Sequence, residues 1–266
     1  MIAAGGSIKD PFELGRSLSA TVINSDVSVK TIRNPRLDAG ETTEVLLCVG
    51  QSNIANTVNA TYSVINAAKV DNLNVVDGGV YAASDPMVGC SSMGPAATNG
   101  SWLGRLADKR IAEGADRVIL VPIARGGSIV ADWATGPLAK NLNAAIARCE
   151  AHKYTITAML WQQGENDQIA GTSQSNYYNS LLQMIANSRA AGAFAPWLIG
   201  KSSYVYGSVS TAVQAACEAA INGVDVFAGA NCDALNSTYR FDNLHFNATG
   251  AEEVATRWNN ALLAAL

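Results

Sequence analysis

From residue 44 to the end of the chain, short apolar runs alternate with longer helix-like stretches. The apolar runs have the length of strands and lie at 45–49, 117–123, 155–161, 197–200 and 224–228. The helix-like stretches lie at about 101–114, 137–152, 173–192, 208–222 and 248–266. Strands that are apolar throughout are typical of a parallel sheet covered on both faces. With right-handed crossovers, this α/β pattern predicts a three-layer α/β/α sandwich with a five-stranded parallel sheet.

The first 43 residues have a different pattern. Residues 21–32 alternate roughly between apolar and polar side chains, as in an edge strand or an extended arm, and the turn-forming pairs Asn34-Pro35 and Ala39-Gly40 come after them. We therefore predict an N-terminal extension or linker over 1–43 and one α/β domain over 44–266. The first 15 residues lack a basic start followed by an apolar core, so they do not resemble a secretory signal.

Composition argues against two classes of partner. Charged residues make up only 15 % of the 266 residues, the formal net charge is −4, and Lys and Arg form no dense cluster, so we expect no nucleic acid partner. No apolar run reaches the roughly 18 residues that span a bilayer, so we expect no membrane partner. The five cysteines lack the spacing of a metal site. Free thiols or a Cys217–Cys232 disulfide both fit their positions.

The first candidate for chemistry is Ser52, in the run Gly-Gln-Ser-Asn that comes after the first apolar run. A strand that ends in glycine before a helix places its last side chains at the carboxyl edge of the sheet, where open α/β folds bind ligands. A serine at that edge can act as a nucleophile when a histidine comes near it. The simpler alternative is a helix N-cap, a position that serine favours.

The chain has only two histidines, which makes the search for a general base short. His245 precedes the last predicted helix, and Asp242 lies three residues before it. A carboxylate at that spacing can hold the imidazole Nδ1–H and leave Nε2 for a serine hydroxyl. The alternative for His245 is a helix cap or a packed side chain. His152 ends a predicted helix, where a histidine complements the helix dipole, so we interpret it as structural.

Two further polar clusters come directly after predicted strands. Ala-Arg-Gly-Gly-Ser around Gly126 can bring a backbone N–H close to a ligand, although an ordinary glycine turn would look the same. Gln-Gln-Gly-Glu-Asn-Asp at 162–167 offers side-chain amides that can donate to an oxyanion, or forms a solvated loop. All these clusters should meet at one edge of the sheet. The sequence therefore predicts a serine hydrolase with Ser52 as its nucleophile.

Taken together, four blocks resemble a known family. Gly-Gln-Ser-Asn after the first strand, Ala-Arg-Gly-Gly-Ser with a downstream Trp, Trp-x-Gln-Gly-Glu-x-Asp and Asp-x-x-His-Phe occur in the order typical of the SGNH hydrolase superfamily. Within it, the chain most resembles the sialate O-acetylesterase-like group, carbohydrate esterase family 6, over residues 44–266. The resemblance implies a flavodoxin-like fold and a serine esterase that removes O-acetyl groups from an acetylated polysaccharide or a sialic-acid-type substrate.

The resemblance also implies roles for single residues. Ser52 would be the nucleophile, His245 the base and Asp242 the acid that orients it. Glu165 is a rival for the role of the acid, since this branch can use that glutamate to support the histidine. The implied Ser-His-Asp mechanism needs no metal and no organic cofactor.

Three groups would stabilise the oxyanion according to the same resemblance. They are the backbone N–H groups of Ser52 and Gly126 and one side-chain amide. The Gln-Gly-Glu pattern of the branch favours Gln163 for that amide. The Gly-x-Asn-Asp pattern of the wider superfamily also fits the chain and would instead select Asn166.

Other functions fit parts of the sequence. A short-chain lipase or thioesterase could use the same scaffold, and a non-catalytic carbohydrate-binding module could keep the fold alone. A nucleotide-binding relative is disfavoured because no Gly-x-Gly-x-x-Gly comes after the first strand. Trp102, Trp133, Trp161 and Tyr81 fit either a sugar-stacking cleft or core packing.

Overall fold

The computed structural model describes residues 26–33, 37, 40–91 and 99–266. Within this part of the chain, eight strands form one sheet in the order β1-β4-β3-β5-β2-β6-β7-β8. The strands are β1 Ile32–Arg33, β2 Thr43–Gly50, β3 Val70–Leu73, β4 Val80–Ala82, β5 Arg117–Ala124, β6 Ala158–Gly164, β7 Trp197–Ser202 and β8 Val226–Asn231. Neighbouring strands from β3 to β8 in this order run parallel. At one edge of the sheet, β4 pairs antiparallel with β3, and β1 pairs antiparallel with β4.

Helices cover both faces of this sheet. The α-helices of the described residues are α1 Leu103–Ala112, α2 Val130–Ala134, α3 Ala139–Ala151, α4 Glu165–Ala170, α5 Gln174–Ala190, α6 Thr211–Ala220 and α7 Ala248–Ala265. Successive side chains of β2 point to opposite faces: Val45, Leu47 and Val49 pack with α2, α3, α5 and α6, while Leu46 and Cys48 pack with α1 and α7. The predicted three-layer α/β/α sandwich is therefore confirmed.

The predicted number of strands is wrong. Each of the five predicted runs overlaps a strand, namely β2, β5, β6, β7 or β8, and β1 begins at the end of the alternating stretch 21–32, but β3 and β4 were missed. In β3 two of the four residues are polar and yet fully buried. Asp71 accepts a hydrogen bond of 2.6 Å from Arg117, and Asn72 exchanges hydrogen bonds with the backbone of Val88. These partners come from elsewhere in the chain, so the apolar pattern could not reveal the strand.

Part of the predicted N-terminal extension joins the sheet. Ile32 and Arg33 form β1, which pairs with Tyr81 and Val80 of β4 as an edge strand. Residues 21–25 of the alternating stretch lie outside the described residues. The division of the chain at residues 43 and 44 stays a prediction.

The alternative of a Cys217–Cys232 disulfide is wrong, because all five cysteines are buried free thiols. Cys217 lies in the hydrophobic cluster on one face of the sheet and Cys232 in the cluster on the other face. The sheet therefore separates their sulfur atoms. No helix in the described ranges combines the length and the apolar character needed to cross a membrane.

Candidate active site

The turn that carries Ser52 depends on a close approach of two backbones. A Cβ atom on Gly50 would lie 2.0 Å from the carbonyl oxygen of Gln162, so only glycine lets β2 end this close to β6. A short 3-10 turn, Ser52–Ile54, comes next instead of an α-helix. Its N-cap is Gln51, which makes no side-chain capping bond, so the N-cap alternative for Ser52 is wrong. Ser52 lies at the carboxyl edge of the sheet and is 8 % exposed.

His245 and Asp242 form a hydrogen-bonded pair in the turn before α7. The His245 Nδ1 atom lies 2.7 Å from Asp242 Oδ2, and the His245 backbone N–H donates to Asp242 Oδ1 at 2.6 Å. Although partial burial acts in the opposite direction, the hydrogen bonds from His245 lower the pKa of Asp242 below its ordinary value. An ionised carboxylate on Nδ1 orients the imidazole and leaves Nε2 for another partner.

The loop that carries His245 is bonded to the turn that carries Ser52. Asn53, the neighbour of Ser52, donates from Nδ2 to the carbonyl oxygen of Leu244, the neighbour of His245, at 3.2 Å. The guanidinium of Arg240 donates to the same oxygen at 2.5 Å. Asn53 therefore bonds the backbone beside His245 to the turn after β2, and Arg240 stabilises the same loop from within.

Gly126 also lies beside Ser52. A Cβ atom built on Gly126 would be 3.7 Å from Ser52 Cβ, so the glycine leaves open the space next to the serine side chain. The Gly126 N–H donates to the hydroxyl oxygen of Ser91 at 2.8 Å. No sequence signal marked Ser91, because it lies after no predicted strand and belongs to none of the four blocks.

Glu165 is buried behind the Ser52 turn and supports Asn53. Its Oε1 atom accepts hydrogen bonds from Asn53 Nδ2 at 2.6 Å and from Ser202 Oγ at 2.7 Å. Its Oε2 atom has no hydrogen-bond partner among the described residues. Burial raises the pKa of Glu165 to about 7. The structure thus brings Asp242 to the His245 ring and Glu165 to the neighbour of Ser52.

Both candidate side-chain amides donate to other protein groups. Gln163 is fully buried, and its Nε2 atom lies 2.6–3.0 Å from three acceptors, which are Gln51 Oε1, the Ser128 carbonyl oxygen and Asp167 Oδ2. Asn166 donates from Nδ2 to the carbonyl oxygen of Gly127 at 2.7 Å. Because a side-chain amide has two N–H groups, Gln163 would have to leave an acceptor to reach an oxyanion, whereas Asn166 keeps a second N–H.

The other candidates lie away from this edge or inside the core. His152 caps the C-terminus of α3, contacts the Gly78 carbonyl oxygen at 2.8 Å and stacks on Tyr154. The aromatic candidates for a sugar cleft are buried core residues; they are Trp102, Trp133, Trp161 and Tyr81. Across the ranges that the structure describes, no three His, Cys, Asp or Glu side chains gather in a way that could hold a metal ion.

Comparison with known proteins identifies the family. A sequence model of the family described as carbohydrate esterase, sialic acid-specific acetylesterase matches residues 42–264. No curated protein matches the chain.

Solved structures show the same fold at low sequence identity. A protein from Arabidopsis thaliana is 19 % identical with a TM-score of 0.63, and the alignment covers 84 % of this chain and 98 % of that one. NanS is 16 % identical with a TM-score of 0.54, covering 86 % of this chain and 98 % of that one. A carbohydrate acetylesterase from Xanthomonas citri is 15 % identical with a TM-score of 0.58, covering 82 % of this chain and 55 % of that one.

The family match spans almost the whole sheet together with the Ser52, Gly126, Gln163 and His245 blocks. The chain therefore belongs to the sialic acid-specific acetylesterase family of carbohydrate esterases, within the SGNH hydrolase superfamily, and is a carboxylic ester hydrolase with O-acetylesterase activity.

Proposed function

We propose that this esterase removes acetyl groups from carbohydrate hydroxyls by two-step acyl transfer through Ser52, His245 and Asp242. One observation carries the proposal. The His245 imidazole has its Nδ1 atom 2.7 Å from the Asp242 carboxylate, in a loop that Asn53 bonds to the Ser52 turn. A nucleophile, a base and an orienting acid on adjoining segments are what serine-based acyl transfer requires.

In the first step, His245 Nε2 takes the Ser52 hydroxyl proton while Ser52 Oγ attacks the acetyl carbonyl carbon. The tetrahedral intermediate then collapses, the bond to the sugar oxygen breaks, and His245 returns the proton to that oxygen. In the second step, water attacks the acetyl-serine with His245 again as the base, which releases acetate and restores the hydroxyl. Proton transfer by a positioned base typically contributes about 10²–10⁴-fold to the rate.

We assign the oxyanion to the backbone N–H groups of Ser52 and Gly126. Each oxyanion donor is typically worth about 3–4 kcal/mol. The Gly126 N–H now donates to Ser91 Oγ, so the Ser91 hydroxyl has to turn or be displaced when the substrate oxygen arrives. A third donor from Gln163, with Asn166 as the alternative, stays a prediction that the variants Gln163→Ala and Asn166→Ala separate by their effects on kcat.

The triad is tested by substitution and an acetyl ester assay. Ser52→Ala and His245→Ala should each abolish turnover without changing Tm, because they remove the nucleophile and the base and leave the fold in place. Asp242→Ala should cost more activity than Glu165→Ala, because Asp242 contacts the imidazole. Matched controls are Ser175→Ala on the exposed start of α5 and His152→Ala, both of which should keep activity. Turnover by Ser52→Ala would contradict the nucleophile assignment.

Substrate class is tested separately with a series of acyl chains. A strong preference for acetyl over butyryl and octanoyl esters supports the carbohydrate esterase. A preference for the longer chains would point to a short-chain lipase or thioesterase on the same scaffold. Absence of hydrolysis with every ester, together with binding of an acetylated sugar, would point to a non-catalytic binding module.

A further inference from the structure

One aromatic side chain beside the proposed base, that of Phe241, is not buried in the hydrophobic core. Phe241 is 41 % exposed, and its ring centroid lies 6.2 Å from that of the His245 imidazole, with the two planes 27° apart. The five tryptophans are all fully buried, so core packing explains them and does not explain Phe241. An exposed apolar ring at the rim of a reaction centre is a candidate ligand contact.

We propose that Phe241, with Tyr206 on the loop bonded to the same turn, forms an aromatic platform for the pyranose ring of the acetylated substrate. This inference rests on the proposed function, and it names the part of the substrate that the platform contacts. The occupant is the sugar ring on the leaving-group side of the ester. It is not the acetyl group, which lies at Ser52.

The route of the proton places the sugar ring near Phe241. When His245 Nε2 protonates the leaving oxygen, that oxygen has to lie about 3 Å from the imidazole. The pyranose ring is attached directly to this oxygen. An aromatic ring whose centroid is 6.2 Å from the imidazole centroid is therefore within reach of the bound sugar.

The chemistry of the two surfaces is complementary. One face of a pyranose presents C–H groups, which are apolar and weakly positive. The face of an aromatic ring carries the negative part of its quadrupole, so the two surfaces attract while both lose contact with water. Hydroxyl groups at the edge of the sugar remain free for polar contacts.

A second exposed aromatic residue, Tyr206, lies on a loop that is bonded to the loop carrying Phe241 and His245. The Tyr206 N–H donates to the carbonyl oxygen of Asn243 at 3.2 Å, and the Tyr204 hydroxyl donates to Asn243 Oδ1 at 2.8 Å. Tyr206 and Asn243 have φ angles of +47° and +62°. Asparagine tolerates this left-handed region, whereas it is uncommon and strained for a bulky residue such as Tyr206, and strained residues cluster at ligand sites.

The strain at Tyr206 does not serve to bury its ring, because Tyr206 is 67 % exposed. The Tyr206 loop is instead bonded directly to the His245 loop. Phe241 closes the His245 loop by donating its N–H to the His245 carbonyl oxygen at 3.0 Å. Two exposed aromatic side chains are thus carried by two loops that are fixed to each other beside the base.

The test compares a sugar ester with an ester that has no ring. Peracetylated xylopyranose and methyl acetate are hydrolysed by the wild type and by Phe241→Ala, Phe241→Trp and Tyr206→Ala, with release of acid followed in a pH-stat. Phe241→Ala should lower the ratio of kcat/KM for the sugar ester to that for methyl acetate about tenfold, mainly through KM, because only the sugar ester loses an aromatic contact. Phe241→Trp should retain the ratio, and Tyr206→Ala should lower it less.

Phe194→Ala is the matched control. Phe194 is 77 % exposed and lies between α5 and β7, at the amino ends of the parallel strands and so at the opposite edge of the sheet. Its replacement should leave both the ratio and the activity unchanged. If Phe241→Ala lowers kcat for both esters equally and shifts the pH profile, Phe241 acts only through His245 and the platform is overturned.

A binding measurement separates failure of the platform from failure of the proposed function. The Ser52→Ala protein is titrated calorimetrically with peracetylated xylopyranose, with and without Phe241→Ala. Weaker binding in the double variant supports the platform even if Ser52 is not the nucleophile. Equal binding in the two proteins would overturn the platform even if Ser52 is.

Discussion

At the scale of single residues, Gly126 shows how the absence of a side chain can shape the site. Its neighbours Ser91 Oγ and Ser52 Cβ would lie 3.4 Å and 3.7 Å from an added Cβ atom, which is ordinary van der Waals contact. The fold can therefore accept alanine at this position. The reaction should not accept it, because the methyl group would lie against the serine side chain where the ester has to bind.

We predict that Gly126→Ala keeps its free energy of unfolding within about 1 kcal/mol of the wild type, since alanine fits the backbone here. It should lower kcat/KM for an acetyl ester about 10²-fold, because small misplacements of reacting atoms have large effects on rate. Urea unfolding and steady-state kinetics measure the two quantities.

The matched variant for this prediction is Gly114→Ala, in the turn after α1. Gly114 has a φ angle of +114° and open space around it. Alanine there should cost about 1 kcal/mol or more of stability and leave activity unchanged. Full activity in Gly126→Ala would mean that the ester does not occupy the space beside Ser52.

At the scale of elements, the loop between β8 and α7 is held by a buried arginine. Arg240 donates hydrogen bonds to three carbonyl oxygens, those of Cys232, Leu235 and Leu244, at distances between 2.5 and 3.2 Å. Its guanidinium also lies 4.3 Å from the ring centroids of Tyr204 and Phe246. Because Leu244 precedes His245, this arginine positions the proposed base without contacting it.

We predict that Arg240→Met lowers the free energy of unfolding by about 3 kcal/mol, because buried carbonyl groups lose their donor and the aromatic rings lose their cation. It should also lower kcat about tenfold by loosening His245, with a smaller effect on KM. Arg257→Met on α7 removes a surface ion pair with Glu253 and should change stability by less than about 1 kcal/mol. Lower stability with unchanged kcat would restrict Arg240 to a role in folding.

At the scale of the whole molecule, the buried carboxyl of Glu165 makes stability depend on pH. Burial raises the pKa of Glu165 from 4.5 to about 7 in the folded protein. Between these two values the folded state still binds a proton that the unfolded state has released. Stability should therefore fall as pH rises from about 4.5 to about 7, and change no further through this group above that range.

We predict that wild type loses about 3 kcal/mol of unfolding free energy relative to Glu165→Gln between pH 4.5 and pH 8. The glutamine keeps an oxygen for Asn53 and Ser202 but does not titrate. Urea unfolding of both proteins across this range measures the difference in slope. Glu150→Gln on the exposed side of α3 is the control and should behave as the wild type does. Parallel curves for wild type and Glu165→Gln would contradict the prediction.

The fold of the whole molecule also explains why some features could be predicted from the sequence and others could not. The strands β2, β5, β6, β7 and β8 are apolar runs, and the Asp242–His245 pair lies three residues apart, so both depend on local sequence. β3 was missed because its Asp71 and Asn72 are satisfied by distant partners. The Cys217–Cys232 alternative was wrong because the two thiols lie on opposite faces of the sheet.

The layered α/β architecture, the family and the blocks that carry Ser52, Gly126, Gln163 and His245 could all be read from the amino-acid order, because hydrophobic period and motif order are properties of neighbouring residues. The bond between Glu165 and Asn53, and the three acceptors around the Gln163 amide, could be known only from the folded structure. Hydrogen-bond partners and burial depend on which segments meet in space, and the spacing of residues along the chain does not contain that information.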